Sequence, residues 1–197
     1  MVERELKAVV SDPGAIKARL IGAGARVRFE GRMADRRFDR AGELAVRDEV
    51  LRIREYHGTD GSTRTEVAWK GPASVEAGYK LRAEHQFEAA DPRGVARVIE
   101  GLGYLPVYAI DRYVEYYDLG DAIVRLEWYP RMDILIEVEG TALAIEHAVV
   151  ALGIDRDHYQ TDSLAAFVGR YEARTGCRAA VSLAELGDAD PSWAGLR

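Results

Sequence analysis

The chain has 197 residues, 48% of them hydrophobic and 30% charged, an ordinary balance for a globular protein. A net charge of −6 gives nucleic-acid binding no support, and no apolar run approaches the roughly 20 residues of a membrane-spanning helix. A single cysteine, Cys177, excludes an intrachain disulfide and fits a reducing cytoplasm, and the charge from Glu3 onward leaves no signal-peptide core. The expected partner is therefore a small molecule, bound by a cytoplasmic monomer or homodimer.

Met1 to Lys7 reads as a strand, which places Glu3, Glu5 and Lys7 on one face. Two carboxylates and an ammonium on one strand face mark either a solvated edge or a wet interior that holds metal and an anion. Asp12-Pro13 opens a helix with an Ile16, Leu20 and Ile21 stripe, ended by Gly22-Ala23-Gly24. Arg26 to Asp39 reads as extended, with Arg36 and Arg37 open between a tunnel mouth and plain surface. Leu44 and Val46 are expected in a short strand or turn. Arg52 and Arg54 then share one face of a second charged strand, opposite Leu51 and Ile53. A His57 to Ser62 loop leads to a return strand from Thr65 to Lys70, expected to stop at Gly71-Pro72. Tyr79 to Phe87 alternates cleanly, with Lys80, Arg82, Glu84 and Gln86 on one side.

Asp91-Pro92 opens a second amphipathic helix that closes on Gly101-Leu102-Gly103. Extended segments follow at Arg112 to Leu119, Ile123 to Trp128 (Arg125 and Glu127 on one face) and Ile134 to Glu139 (Glu137 and Glu139 on one face). Further helices are expected at about Leu143 to Leu152 and Ser163 to Thr175. The main domain is taken as residues 1–176, and residues 177–197 as a loosely structured tail with one helical turn near Leu183. Residues 3–24 and 82–103 repeat one another as charged strand, Asp-Pro and helix closing on Gly-x-Gly; Glu137-Val138-Glu139 with the helix after it is a weaker third copy.

Nearly every strand thus has one apolar and one charged face. The apolar faces suit the amphipathic helices. The charged faces either meet solvent on an open sheet or line the lumen of a closed barrel. Crowding of both signs on the same faces favours the barrel: an α+β fold, with an antiparallel β-barrel inside and helices outside. Such a lumen is costly unless something bound neutralises it. A polyanion chelated to a divalent metal would do so, with basic groups on phosphate oxygens and glutamates on the metal.

Glu3-x-Glu5-x-Lys7, Leu51-Arg52-Ile53-Arg54, Trp69-Lys70-Gly71-Pro72, Arg82-x-Glu84, Arg112 and Glu137-x-Glu139, in that order over about residues 1–170, resemble the CYTH family of triphosphate tunnel metalloenzymes. That family contains class IV adenylate cyclases, thiamine triphosphatases and inorganic triphosphatases. The resemblance implies an eight-stranded antiparallel tunnel and a metal-dependent enzyme. Its metal, Mg²⁺ or Mn²⁺, would be held by Glu3, Glu5, Glu127, Glu137 and Glu139. Arg52, Arg54, Lys70, Arg82 and Arg112 would grip the triphosphate. Lys7 and Glu5 would act at the reacting phosphate, and Lys80, Glu84 and Arg125 are further candidates. Substrates implied are tripolyphosphate, ATP or thiamine triphosphate. Departures from the family pattern are Glu127 in place of Asp, Asp111 before Arg112, Gln86 after Glu84, and a start too close to Glu3 for the His-Phe pair of the best-known class IV cyclases. With no pattern that must read adenine, hydrolysis is favoured over cyclisation, and a non-catalytic binding module is a third reading.

Overall fold

The computed structural model describes residues 2–196. These form eight strands: β1 (Val2–Val10), β2 (Arg26–Asp39), β3 (Val50–Gly58), β4 (Thr63–Glu76), β5 (Tyr79–Glu88), β6 (Leu105–Leu119), β7 (Ala122–Trp128) and β8 (Ile134–Glu139). They close into one antiparallel barrel in the order β1-β5-β4-β3-β2-β6-β7-β8. Closure leaves the sheet without a free edge, and it turns the period-2 alternation of each strand into an inside and an outside.

The outside is apolar, as the alternation requires. Helices α1 (Pro13–Gly22) and α4 (Ala142–Leu152) lie on it. Ile16 and Leu20 of α1 and Ile145 and Leu152 of α4 pack with Leu6, Val124, Leu126, Ile136 and Val138 from β1, β7 and β8. Each such side chain removed from water contributes about 1.5–3 kcal/mol. Helix α3 (Pro92–Gly101) covers a second patch, where Ile99 meets Phe38, Ile53 and Val67.

The two copies of the repeat start their helices alike: the Asp12 carboxylate accepts from the Ala15 N–H at 2.9 Å and the Asp91 carboxylate from the Gly94 N–H at 2.8 Å, each before a proline. Their strands are neighbours. β1 pairs with β5, with Glu3 opposite Arg82 and Glu5 opposite Lys80.

Three expectations are corrected. Gly71-Pro72 does not stop its strand. β4 runs on to Glu76 through a register shift between Lys70 and Ala73, a bulge where a residue without an N–H is tolerated. Leu44 and Val46 lie in a short helix, α2 (Glu43–Val46), because the Asp39 carboxylate accepts the N–H groups of Leu44 and Ala45 at 3.0 and 3.1 Å.

The third correction concerns the chain after α5 (Leu164–Thr175), which is held closely rather than loosely. Ala180 exchanges two backbone hydrogen bonds with Arg131, and the Asp111 N–H donates to the Val181 carbonyl at 2.8 Å. A capping box joins Ser182 and Glu185 at α6 (Leu183–Leu186), and Trp193 is buried against the outer core. The buried side chains here, Ala179, Ala180, Val181 and Trp193 on irregular backbone and Leu186 on a single helical turn, show no period. Together Ala179, Val181 and Phe167 of α5 cap Ile110, Tyr129, Met132 and Leu135 in a small apolar cluster.

Candidate active site

Several ion pairs join strands that are not neighbours in the barrel, so they must cross its lumen. The Lys70 Nζ of β4 lies 2.6 Å from Glu3 of β1, with β5 between them. Arg52 of β3 lies 3.2 Å from Glu84 of β5, with β4 between them. The lumen is thus a continuous network of charged side chains, and its two signs collect on different walls.

The acidic wall is β1 and β8. Glu3, Glu5, Glu137 and Glu139 each bring one carboxylate oxygen within 4.8 Å of the others. Register explains it: Glu5 lies opposite Glu139 and Lys7 opposite Glu137, so the Glu-x-Glu pairs of the two strands share a face. Cations hold the group together. Lys7 sits between Glu5 at 2.7 Å and Glu137 at 2.5 Å, Lys80 is 2.7 Å from Glu5, and Arg125 reaches Glu137 and, at 2.9 Å, Glu139. Burial works against the charge on Lys7, but the carboxylates of Glu137 and Glu5 hold its pKa above the usual lysine range, so it stays an ammonium. Burial likewise opposes ionisation of Glu3, yet Lys70 brings its pKa down to about 2. In the Glu137–Glu139 pair, burial and the neighbouring Glu137 charge push Glu139 well up, while Arg125 and Lys7 overcome burial and keep Glu137 well down. Four hard oxygen donors in this spacing could hold a divalent metal ion.

The basic wall is β2, β3 and β6. Its centre is Asp35, 1% exposed. Arg54 holds it with two bonds of 2.6 and 2.8 Å, Arg112 adds a third at 2.7 Å, and Arg52 stands 3.8 Å away. Burial would raise the Asp35 pKa, but Arg54 and Arg112 hold it well below the usual carboxylate range. One carboxylate is thus shared among three guanidiniums. Above this cluster the lumen turns apolar, where Met33 and Val114 pack with Phe29, Tyr56 and Tyr116. Their rings meet edge to face at 5.3, 5.8 and 6.2 Å, filling that end.

Most residues singled out in the sequence meet in this lumen, with three qualifications. Glu127 is fully buried but stands apart from the four grouped carboxylates, since its oxygens accept from Arg112 at 2.7 Å and from the Tyr129 hydroxyl at 2.6 Å. Arg82 shares the inward face of β5, and its guanidinium is spent on the Gly71 carbonyl and on Asp48 near the surface. Glu84 bridges Lys70 and Arg52, both at 3.2 Å. Asp35 was missed. Arg37, left open in the sequence, turns inward, opposite Arg52 and Tyr108, whereas Arg36 points out and bonds Asp111 at 3.0 Å. The signal that could have found both is parity: Asp35 and Arg37 are in phase with each other, but Arg36 beside them masks the alternation.

A family model described as CYTH domain matches residues 1–146. No curated protein matches the chain. Solved structures with the same fold include a candidate adenylate cyclase from Vibrio parahaemolyticus, 19% identical, covering 86% of this chain and 98% of its own at a TM-score of 0.73. The PH1819 protein of Pyrococcus horikoshii is 21% identical, covering 83% and 96% at 0.67. HpAC1 of Hippeastrum, a candidate adenylyl cyclase described as having a dominant triphosphatase activity, is 18% identical, covering 88% and 96% at 0.58.

Proposed function

Because the chain belongs to the CYTH domain family, we propose that it is a cytoplasmic, divalent-metal-dependent enzyme that takes a triphosphate into the barrel lumen and hydrolyses it. The observation that carries this is the facing of two walls across one lumen: four clustered carboxylates on β1 and β8, and arginines gathered about Asp35 on β2, β3 and β6.

Each wall has its own task. Arg52, Arg54 and Arg112 grip phosphoryl oxygens, for which the planar fork of a guanidinium is suited. Lys70 and Lys80 extend the grip along β4 and β5, whereas Arg82 is held at the Gly71 carbonyl and Asp48. Glu3, Glu5, Glu137 and Glu139 hold Mg²⁺ or Mn²⁺, which when bound screens phosphate charge and polarises the bond to be broken. Glu127 instead anchors Arg112. Lys7, kept charged between Glu5 and Glu137, stabilises negative charge that grows on the reacting phosphate and cannot serve as a base. Glu5, beside it, orients the attacking water and accepts its proton.

Cyclisation of ATP is the second reading, since the similar Vibrio parahaemolyticus protein is a candidate adenylate cyclase. Hydrolysis is favoured here because it needs only the triphosphate, the metal and a water, and because the lumen rings of Phe29, Tyr56 and Tyr116 already pack on one another. Incubation with tripolyphosphate, ATP or thiamine triphosphate and Mg²⁺ or Mn²⁺, followed by separation of products, tests this. Orthophosphate is the expected product. Cyclic AMP with pyrophosphate from ATP would replace hydrolysis by cyclisation, and an absence of turnover on all three would leave a binding module.

A further inference from the structure

Arg37 differs from every other cation of the lumen in what surrounds it. Its position opposite Arg52 on β3 and Tyr108 on β6 places it on the basic wall. Among the described residues it makes no ion pair. The acid in phase with it, Asp35, is already taken by Arg54 and Arg112 and approached by Arg52. Its Nε is buried without a hydrogen-bond partner, and so are the Nε atoms of Arg52 and Arg112 beside it. Its guanidinium lies over the Tyr108 ring, 5.4 Å from the centroid, which fixes its plane while leaving its donors free.

A buried donor without a partner is destabilising, and more so on a cation among cations. Burial, with Arg52 and Arg112 close by, accordingly pushes the Arg37 pKa down against the pull of Asp35. Arg36, one residue away, shows what a solvated arginine does here: it is 42% exposed and paired with Asp111. Arg37 makes no such pair among the described residues, and its Nε is closed off from water. What would satisfy it is an anion with several oxygens, able to accept from Arg37 and from the unfilled Nε donors of Arg52 and Arg112 as well.

We propose that Arg37 is a further phosphate-binding residue of the tunnel, which together with Arg52 and Arg112 holds one terminal phosphoryl group of the bound triphosphate. This rests on the triphosphate reading above and extends the grip along β2, toward Tyr108. It also makes Arg37 a residue of opposite character to Asp35: Asp35 holds the empty wall together, and Arg37 becomes favourable only when the anion arrives.

Calorimetric titration of tripolyphosphate into the full chain without added metal, with thermal melts of the same samples, tests it. Arg37→Ala is expected to bind about 10–100-fold more weakly, the range for one charge-assisted hydrogen-bonding group. Arg37→Lys, which keeps the charge and loses the fork, should recover part of that loss. The ligand-free melting temperature of Arg37→Ala should be unchanged or raised, because a cation leaves a crowd of cations; a merely structural arginine would lower it. Should Arg37→Ala not fold, the inference fails, since the site then needs Arg37 without any anion. Affinity of Arg37→Ala within about twofold of wild type, alongside a large loss in Arg52→Ala, would overturn the inference and leave the tunnel reading standing. A wild-type chain that does not bind tripolyphosphate would overturn both.

Discussion

The two walls of the lumen solve the same problem differently. On the acidic wall every carboxylate has a cation, some of them shared: Lys70 for Glu3, Lys80 and Lys7 for Glu5, Lys7 and Arg125 for Glu137, and Arg125 for Glu139. On the basic wall Asp35 serves Arg54 and Arg112 and stands near Arg52, while Arg37 makes no ion pair among the described residues. Local pairing keeps the acidic wall near neutrality, and a divalent ion can bind there by displacing ammonium groups on flexible stems. The basic wall groups planar guanidiniums about Asp35, with Glu84, Glu66 and Glu127 as further partners of Arg52 and Arg112. The lesson is that the proposed grip on a polyanion would lie in rigid guanidiniums gathered round one shared acid, whereas the carboxylate cluster is held by lysines on flexible stems.

The hardest way to break this division is on the acidic wall. Glu137→Gln should keep the fold, since its neutral amide still bonds Lys7 or Arg125, while turnover with Mg²⁺ or Mn²⁺ falls on the order of 100–1,000-fold, as for other lost transition-state electrostatics. Phosphate release, with Mn²⁺ binding followed by electron paramagnetic resonance, measures both halves; full turnover with normal Mn²⁺ binding would remove the metal from this wall.

On the basic wall, Asp35→Asn strands a cluster of arginines. Removing one partner of a buried ionic group costs about 3–5 kcal/mol. The ligand-free melting temperature should therefore drop, and tripolyphosphate should restore more of it than it adds to wild type. An equal shift in both proteins would mean that phosphate does not take up the charge Asp35 leaves.

Wild type itself should gain about 2.7 kcal/mol at 100 times the dissociation constant of tripolyphosphate, and Arg54→Ala should lose most of that gain. A full shift in that variant would place the anion elsewhere.

The smallest effect expected is on pH dependence. Asp35 has a folded pKa held below its unfolded value of about 3.9. Its contribution is therefore complete above about pH 4 and is lost as pH falls through the lower folded value. Asp35→Asn should melt with a flatter acid limb than wild type, measured by denaturant melts from neutral to strongly acid pH. Identical limbs would assign acid sensitivity to other carboxylates.

How much of this could be read in the sequence varied with how well charge kept phase. Glu3, Glu5, Lys7, Arg52, Arg54, Glu137 and Glu139 stand on strands whose opposite parity is largely apolar, so both barrel and site were legible there. In Asp35-Arg36-Arg37 charge occupies both parities, and only the closed sheet tells inside from outside. Glu127 matched the metal set by type and position, but Arg112 and Tyr129 claim it through contacts that no spacing reveals. The C-terminal segment buries Ala179, Val181 and Trp193 as single side chains on irregular backbone, where neither a 3.6- nor a 2-residue period exists.

The joint between β1 and β5 is the short seam of the barrel. It is stitched over Val2 to Glu5 only, after which Lys7 turns its backbone to Gln160 instead, whereas β2 and β6 are joined along almost their whole length. A cylinder laced so unevenly breathes at its weakest lacing. Amide protons at Val2 to Glu5 and Lys80 to Ala83 should exchange with solvent sooner than those between β2 and β6. Glu3 and Glu5 sit on the lip of that slit, so the strand that presents half of the carboxylate cluster is also the stave with the greatest freedom to swing.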